Sequence, residues 1–218
     1  MNILSFDVTS NNISISVSDG DIILSQISQI SNSNQSELLT TLLQKSLEEA
    51  NLDYQDLGLV AFTNGPASFT STRIGYIAAK MINVCCEIPI LAISSNLAIA
   101  ADYLSSSYTT IVTAIDARLG DVFFQIFNLN GKKLTEASEV LMVNLEEIEK
   151  YLPQDEFLLV GSAKELIKCQ LKNKIINTCN RRDTIKSENI IKIALEYRKD
   201  NNNKIPDEPL YIREPKIG

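Results

Sequence analysis

The segment ILSFDVTSNNISISV (3–17) has a counterpart half a chain later in TIVTAIDARLGDVFFQIF (110–127). In each, an apolar stretch ends in an aspartate, Asp7 or Asp116, and a second apolar stretch resumes six residues on, at Ile13 or Val122. Asp116 follows Asp7 by 109 positions, half of the 218 residues. Such an internal repeat restricts the fold to architectures built from one unit used twice.

The segments between the repeats fill out the unit. NILSFDV and ISISVSDG alternate with period two, and IILSQISQI is a third strand, so the chain opens as a meander. A helix is expected from Ser36-Glu37, where Leu38, Leu39, Leu42, Leu43, Leu47 and Ala50 recur at helical spacing. LGLVAF (57–62) and IPILAI (88–93) are short buried strands, each followed by a helix, the first through about Cys86 and the second from about Ser95 to Leu104. The second half repeats this order less fully: a turn at Asn130-Gly131, a strand near 138–143, a short helix near 144–152, FLLVG (157–161), a helix from Ser162 and a last helix near 187–198. The pattern predicts a duplicated α/β fold of two mixed sheets covered by helices, with lobes at 1–107 and 108–218. The polar DNNNK stretch (200–204) reads as a linker, before the tail PLYIR.

Composition narrows the chemistry. The chain has no histidine, which removes His-based nucleophile pairs, the HExxH zinc site and the side chain that titrates near neutral pH. Its net charge of −7 argues against gripping a polyanion unaided. The four cysteines form no CxxC pair, so a reducing compartment is expected, and no apolar run is long enough to cross a bilayer.

One stretch, NGPASFTSTRIG (64–75), admits two readings. Ser68, Thr70 and Ser71 at a helix start, with Arg73, could hold an anion through the helix dipole, or the hydroxyls could cap the first amides. It lacks the GxxxxGK[ST] pattern of a P-loop. Beyond it, Ser71, Gly75 and Ala79 lie four apart on one face, with Ile74, Ala78, Ile82 and Cys85 alongside, a pattern suited to close packing against another helix or against the chain's own sheet. Leu38, Leu39, Leu42 and Leu43 form two adjacent rows, wider than one sheet contact requires, and this favours a partner-binding face.

These motifs together resemble one family. NGPASFTSTRIG is similar to the GPGSFTGLRIG signature of the TsaB (YeaZ) family, and ILSFDVTSNNISISV, LVAFTNGP, IPILAISS, AIDARLGDVFFQIF and PLYIR agree with it in order. The resemblance implies the duplicated ATPase fold of actin, hexokinase and the Hsp70 proteins. It also implies a non-catalytic, cytoplasmic subunit that supports threonylcarbamoylation of the adenosine beside the anticodon of ANN-decoding tRNAs. The implied partners are a TsaD-like catalytic subunit and a TsaE-like ATPase, with tRNA met only through the complex and a homodimer formed when the chain is alone. The expected interface is Leu38, Leu39, Leu42, Leu43, Ser71, Gly75, Ala78, Ala79 and Ile82, and Gly75→Leu is expected to abolish the complex while sparing the fold. No cofactor of its own is expected; ATP or ADP at the interface would be held by Arg73 and Ser71. The departures are Ala67 and Ser71 in place of signature glycines, and Gln35-Ser36-Glu37 in place of His-Ser-Glu. Where the TsaD subunit holds a metal between two histidines, this chain has Ser95 and Ile99, and no metal is expected.

Two other readings stay open on the residues. One is a small-molecule kinase of the same superfamily, for which FLLVGSAKELIK would serve as a second phosphate loop. The other is a homodimeric interaction module. Asp7 with Thr9 and Ser10, and Asp116 with Arg118, stand where the superfamily places phosphate and magnesium ligands, and each also reads as an Asx-turn residue.

Overall fold

The computed structural model describes residues 1–31, 34–171, 176–179, 183–199, 207–210 and 212. The first sheet contains β1 (Asn2–Asp7), β2 (Asn12–Asp19), β3 (Ile22–Ile30), β4 (Leu57–Thr63) and β5 (Ile90–Ile93), in the order β3-β2-β1-β4-β5. The first three strands pair antiparallel, while β1, β4 and β5 run parallel. The second sheet contains β6 (Thr110–Arg118), β7 (Asp121–Asn130), β8 (Lys133–Glu136), β10 (Leu158–Val160) and β11 (Asn177–Thr178), in the order β11-β10-β6-β7-β8, with β9 (Leu141–Asn144) on β7. Strand for strand the two orders correspond, and the antiparallel and parallel pairings fall in the same places. The duplication read from the two aspartates is therefore a duplication of topology.

Helix α1 (Gln35–Ala50) packs on β2 and β3, α2 (Phe69–Cys86) on β4, and α3 (Ser95–Ala100) follows β5. Strand alternation puts Ile13, Ile15 and Val17 of β2 on the face that α1 covers, in one cluster with Leu39, Leu43 and Leu47. Each such aliphatic side chain contributes roughly 1.5–3 kcal/mol by leaving water. The opposite face of β2 presents Ser14 and Ser16, whose hydroxyls meet the Ser187 hydroxyl at 2.9 and 2.7 Å. Ser187 opens α5 (Ser187–Lys199), so the last helix belongs to the first sheet.

This return corrects the expected division at 107/108. Contacts group 1–98 with 185–211, and 99–184 with 212–218. The physical cause is the serine cluster: the Ser5 hydroxyl reaches the Ser187 carbonyl at 2.9 Å and the Ser187 amide reaches the Ser14 hydroxyl at 3.0 Å, all buried. The second unit has its own core, with Val112, Phe124, Leu159 and Ile167 at its centre, covered by the 3-10 turn Leu145–Lys150 and α4 (Lys164–Gln170). The strand expected near 138–143 is the shorter β9, and β8 and β11 carry too little apolar alternation to have been read from sequence. Residues 200–204, read as a linker, lie outside the described residues. Among those described, no helix is long and apolar enough to cross a membrane.

Candidate functional site

The loop from β4 into α2 is held by the chain itself. The Asn64 carbonyl accepts from the Leu210 amide at 2.9 Å, and the Asn64 side-chain amide donates to the Glu208 carbonyl at 2.8 Å. Gly65 has φ +99°, and a Cβ there would stand 3.1 Å from the Leu210 carbonyl oxygen and 3.3 Å from the Thr72 hydroxyl. A glycine is therefore required where the C-terminal segment crosses.

The first of the hydroxyls that follow is a cap. Ser68 is the N-cap of α2, its Oγ accepting from the Ser71 amide at 3.1 Å, and the Thr72 hydroxyl donates back to the Ser68 carbonyl. The Ser68 hydroxyl donates to Ser71 Oγ at 2.7 Å, and the Ser71 hydroxyl donates to Gln35 Oε1 at 3.1 Å. The two positions noted as departures from the resembled pattern, Ser71 and Gln35, thus touch. The Gln35 side chain continues to the Ser10 carbonyl at 3.3 Å, tying the start of α1 to both α2 and the first hairpin. The sequence marked Gln35 only as a departure from the family pattern and carried no sign of this link.

With its amide and hydroxyl committed inside the protein, and only 7% exposed, Ser71 does not fit a phosphate ligand. Arg73 is exposed, and its guanidinium carbon lies 3.7 Å above the centroid of the Phe69 ring. This cation–π contact holds the Arg73 side chain against the first turn of α2.

The small-residue face of α2 looks inward. Ser71, Gly75, Ala79 and Ile82 are buried, and a Cβ added at Gly75 would stand 3.0 Å from Val8 Cγ1 and 3.6 Å from the Thr63 carbonyl. Gly75→Leu therefore strikes the protein's own core, and the expectation that it would spare the fold is overturned. Leu39, Leu42 and Leu43 are likewise 1–5% exposed, with only Leu38 half-buried. The two rows of leucines serve the sheet under α1 and do not form an open face. What α2 does present to solvent is a different stripe: Ile77, Met81 and Val84 are 55%, 62% and 68% exposed, with Ile74 and Ala78 half-buried beside them. Of the expected interface residues, Ala78 and Leu38 border exposed surface, and the others named do not.

Asp7, at the end of β1, is fully buried. Its Oδ1 accepts from the Thr9 amide at 2.9 Å and from the Thr9 and Thr63 hydroxyls, each at 2.5 Å, and its Oδ2 accepts from the Ser10 hydroxyl at 2.8 Å. The Thr9 amide bond is an Asx turn. Burial raises the Asp7 pKa above its ordinary 3.8, against the lowering effect of these donors. Ser95 is buried, with its Oγ 3.2 Å from Thr9 Oγ1 and its amide donating to the Gly65 carbonyl at 2.7 Å. Asp116 is exposed and makes the same Asx turn, accepting from the Arg118 amide at 2.7 Å. Among the described residues, no group of three or more His, Cys, Asp or Glu is placed to hold a metal.

The family model described as TsaD, tRNA N6-adenosine threonylcarbamoyltransferase, matches residues 21–198. The tRNA threonylcarbamoyladenosine biosynthesis protein TsaB of Buchnera aphidicola subsp. Schizaphis graminum is 28% identical over 171 residues, covering 76% of this chain and 80% of the relative. YeaZ from Pseudomonas aeruginosa superposes with a TM-score of 0.83 at 16% identity, over 96% of this chain and 99% of that one. A ROK family protein from Streptococcus pneumoniae has the fold more distantly, with a TM-score of 0.50 at 14% identity over 92% and 100% of the two chains. A family match over most of the length, joined to the signature loop and the doubled sheet order, means that this chain belongs to the TsaB (YeaZ) branch of the TsaD family.

Proposed function

We propose that this chain is a catalytically silent subunit in the formation of threonylcarbamoyladenosine in tRNA. It binds a TsaD-like transferase through the exposed face of α2 and, with a TsaE-like ATPase, supports transfer of the threonylcarbamoyl group to the adenosine beside the anticodon of ANN-decoding tRNAs. The observation that carries the reading is the stripe of Ile77, Met81 and Val84 on a helix whose other face is core. Three large apolar side chains in register, each more than half exposed, favour burial against a partner helix.

The silence of the chain rests on groups already in use. Both oxygens of Asp7 accept hydrogen bonds from the chain, and Ser71 spends its amide on the cap of α2 and its hydroxyl on Gln35. Its contribution is then energetic: covering the α2 stripe stabilises one arrangement of the partner. ATP or ADP in that interface would meet Arg73, one turn before Ile77, and not Ser71. A chain of net charge −7 meets tRNA only through its partners, in the cytoplasm.

Light scattering of this chain mixed with the TsaD of its own organism tests the reading. A complex containing both chains is expected. The pair Ile77→Asp and Met81→Asp should abolish it while shifting the melting temperature by no more than about 2 °C, as surface changes do. Undiminished binding by that double variant would overturn the proposed face. The same stripe could pair with itself in the absence of the partner, and a homodimer that persists when TsaD is added would favour a stand-alone interaction module. A large upward thermal shift of the chain alone with Mg-ATP would favour a kinase.

A further inference from the structure

One buried carboxylate in the second unit is surrounded by donors from two places, the turn between β10 and α4 and Tyr103. Asp183 Oδ2 accepts from the Gly161 amide at 2.9 Å and from Lys164 Nζ at 2.7 Å, and Oδ1 accepts from the Tyr103 hydroxyl. Lys164 Nζ also donates to the Cys179 carbonyl at 2.8 Å. The Asp183 and Lys164 side chains are 1% and 10% exposed.

The donors are positioned by contacts that do not involve Asp183. Gly161 has φ +107° and lies so close to β6 that a Cβ would stand 2.2 Å from the Ala114 carbonyl oxygen. The same oxygen accepts from the Ala163 amide at 3.0 Å, and the Asp116 amide donates to Ser162 Oγ at 2.9 Å, fixing the turn to β6. Tyr103 is 6% exposed at the end of the 3-10 turn Ala101–Tyr103. Asp183, in contrast, sits on a stretch with neither helix nor strand, before α5 begins.

We propose that this is an oxyanion receptor formed by the Gly161 amide, Lys164 and Tyr103, with Asp183 as its tethered ligand. A main-chain amide, an ammonium and a phenol converging on two oxygens of one acceptor are the set that recognises a carboxylate or phosphate. The inference goes beyond the subunit reading above and does not depend on it. It has two consequences. In the native chain this turn is closed to an external phosphate, although its glycine and lysine stand where a second phosphate loop was sought. Removal of the tethered carboxylate opens the seat to a free oxyanion, for which inorganic phosphate is the probe.

Thermal melts of the full chain over a phosphate series, at ionic strength held constant with chloride, test this. Asp183→Ala should melt well below the native chain, because it removes the carboxylate that pairs with the buried Lys164 ammonium. Phosphate should raise its melting temperature by roughly 3 °C at ten times the dissociation constant. The native chain and the double variant Asp183→Ala with Lys164→Met should not respond beyond the chloride control. If Asp183→Ala does not fold, Asp183→Ser, which vacates most of the seat and keeps a hydroxyl, takes its place in the same series. A singly substituted chain that gains no more from phosphate than the native chain or the double variant overturns the proposal.

Discussion

The turns at Asp7 and Asp116 start from one sequence pattern and finish in opposite surroundings. Asp7 ends the central strand of its sheet and Asp116 lies two residues before the end of the corresponding strand, and both accept from the amide two residues on. Asp7 is 0% exposed and filled with donors, whereas Asp116 faces solvent. The hairpins differ by a residue in their closure: Phe6 pairs with Ile15, while Ile115 pairs with Phe123. The longer first turn folds Val8 inward to 0% exposure against the bare Cα of Gly75, and brings Asp7 under Thr63. The second turn closes tightly through Arg118 and Leu119, both at positive φ, and its tip stands clear with Leu119 81% exposed. An Asx turn is thus a local property, and whether its carboxylate becomes a buried hub depends on what is packed over it.

That contrast can be tested from its largest consequence down. Asp7→Ala leaves the Thr9 amide and three hydroxyls without their acceptor, and at about 1–3 kcal/mol for each stranded group the loss should reach about 4 kcal/mol. Asp116→Ala at the exposed turn should cost only about 0.5 kcal/mol. Denaturant melts of the two variants give both numbers, and equal losses would erase the distinction between the turns. Gly75→Leu should cost about 3 kcal/mol through overpacking against Val8, visible in the same melts of the isolated chain without any partner.

The raised pKa of Asp7 gives a directional test. Because the folded state holds the Asp7 proton more tightly than the unfolded chain does, the stability linked to this group is fully present below the ordinary value of 3.8. It is lost as pH rises through the elevated value and is constant above it. Relative to Asp7→Asn, which has no proton to release, the native chain should therefore lose stability over that window as pH increases. A difference that grows with pH would mean that the four donors outweigh burial. The smallest effect is at the second tip: Leu119→Gly should stabilise the chain by about 0.5–1 kcal/mol, since glycine adopts φ +55° without the steric cost that a leucine carries.

Much of this architecture was legible because period and punctuation are local. The strand ending at Asp7, the strand through Asp116, which runs on to Arg118, the helix over 35–50 and the helix through Cys86 all follow from apolar spacing. Capping at Ser68 followed from a hydroxyl before a helical run. The partner face did not follow, for a physical reason: α2 is apolar on more than one side, and sequence cannot say which side meets the sheet. Gly75 and Ala79 suit close approach to β4 as well as they suit another helix, and the sheet took them, leaving Ile77, Met81 and Val84 outside. The leucines of α1 were misread similarly, since a broad apolar face fits the wide sheet surface of β2 and β3 as readily as a partner.

The order of strands and helices, their duplication and the family signature were written in short-range patterns, because strand alternation, helical spacing and turn residues act within a few positions. The return of α5 to the first sheet, the link from Ser71 to Gln35 and the donors gathered on Asp183 join residues 182, 36 and 19 to 80 positions apart. Hydrogen bonds of that reach are chosen by which surfaces meet once the sheets have formed. A serine or an aspartate carries no local mark of the donor it will find there.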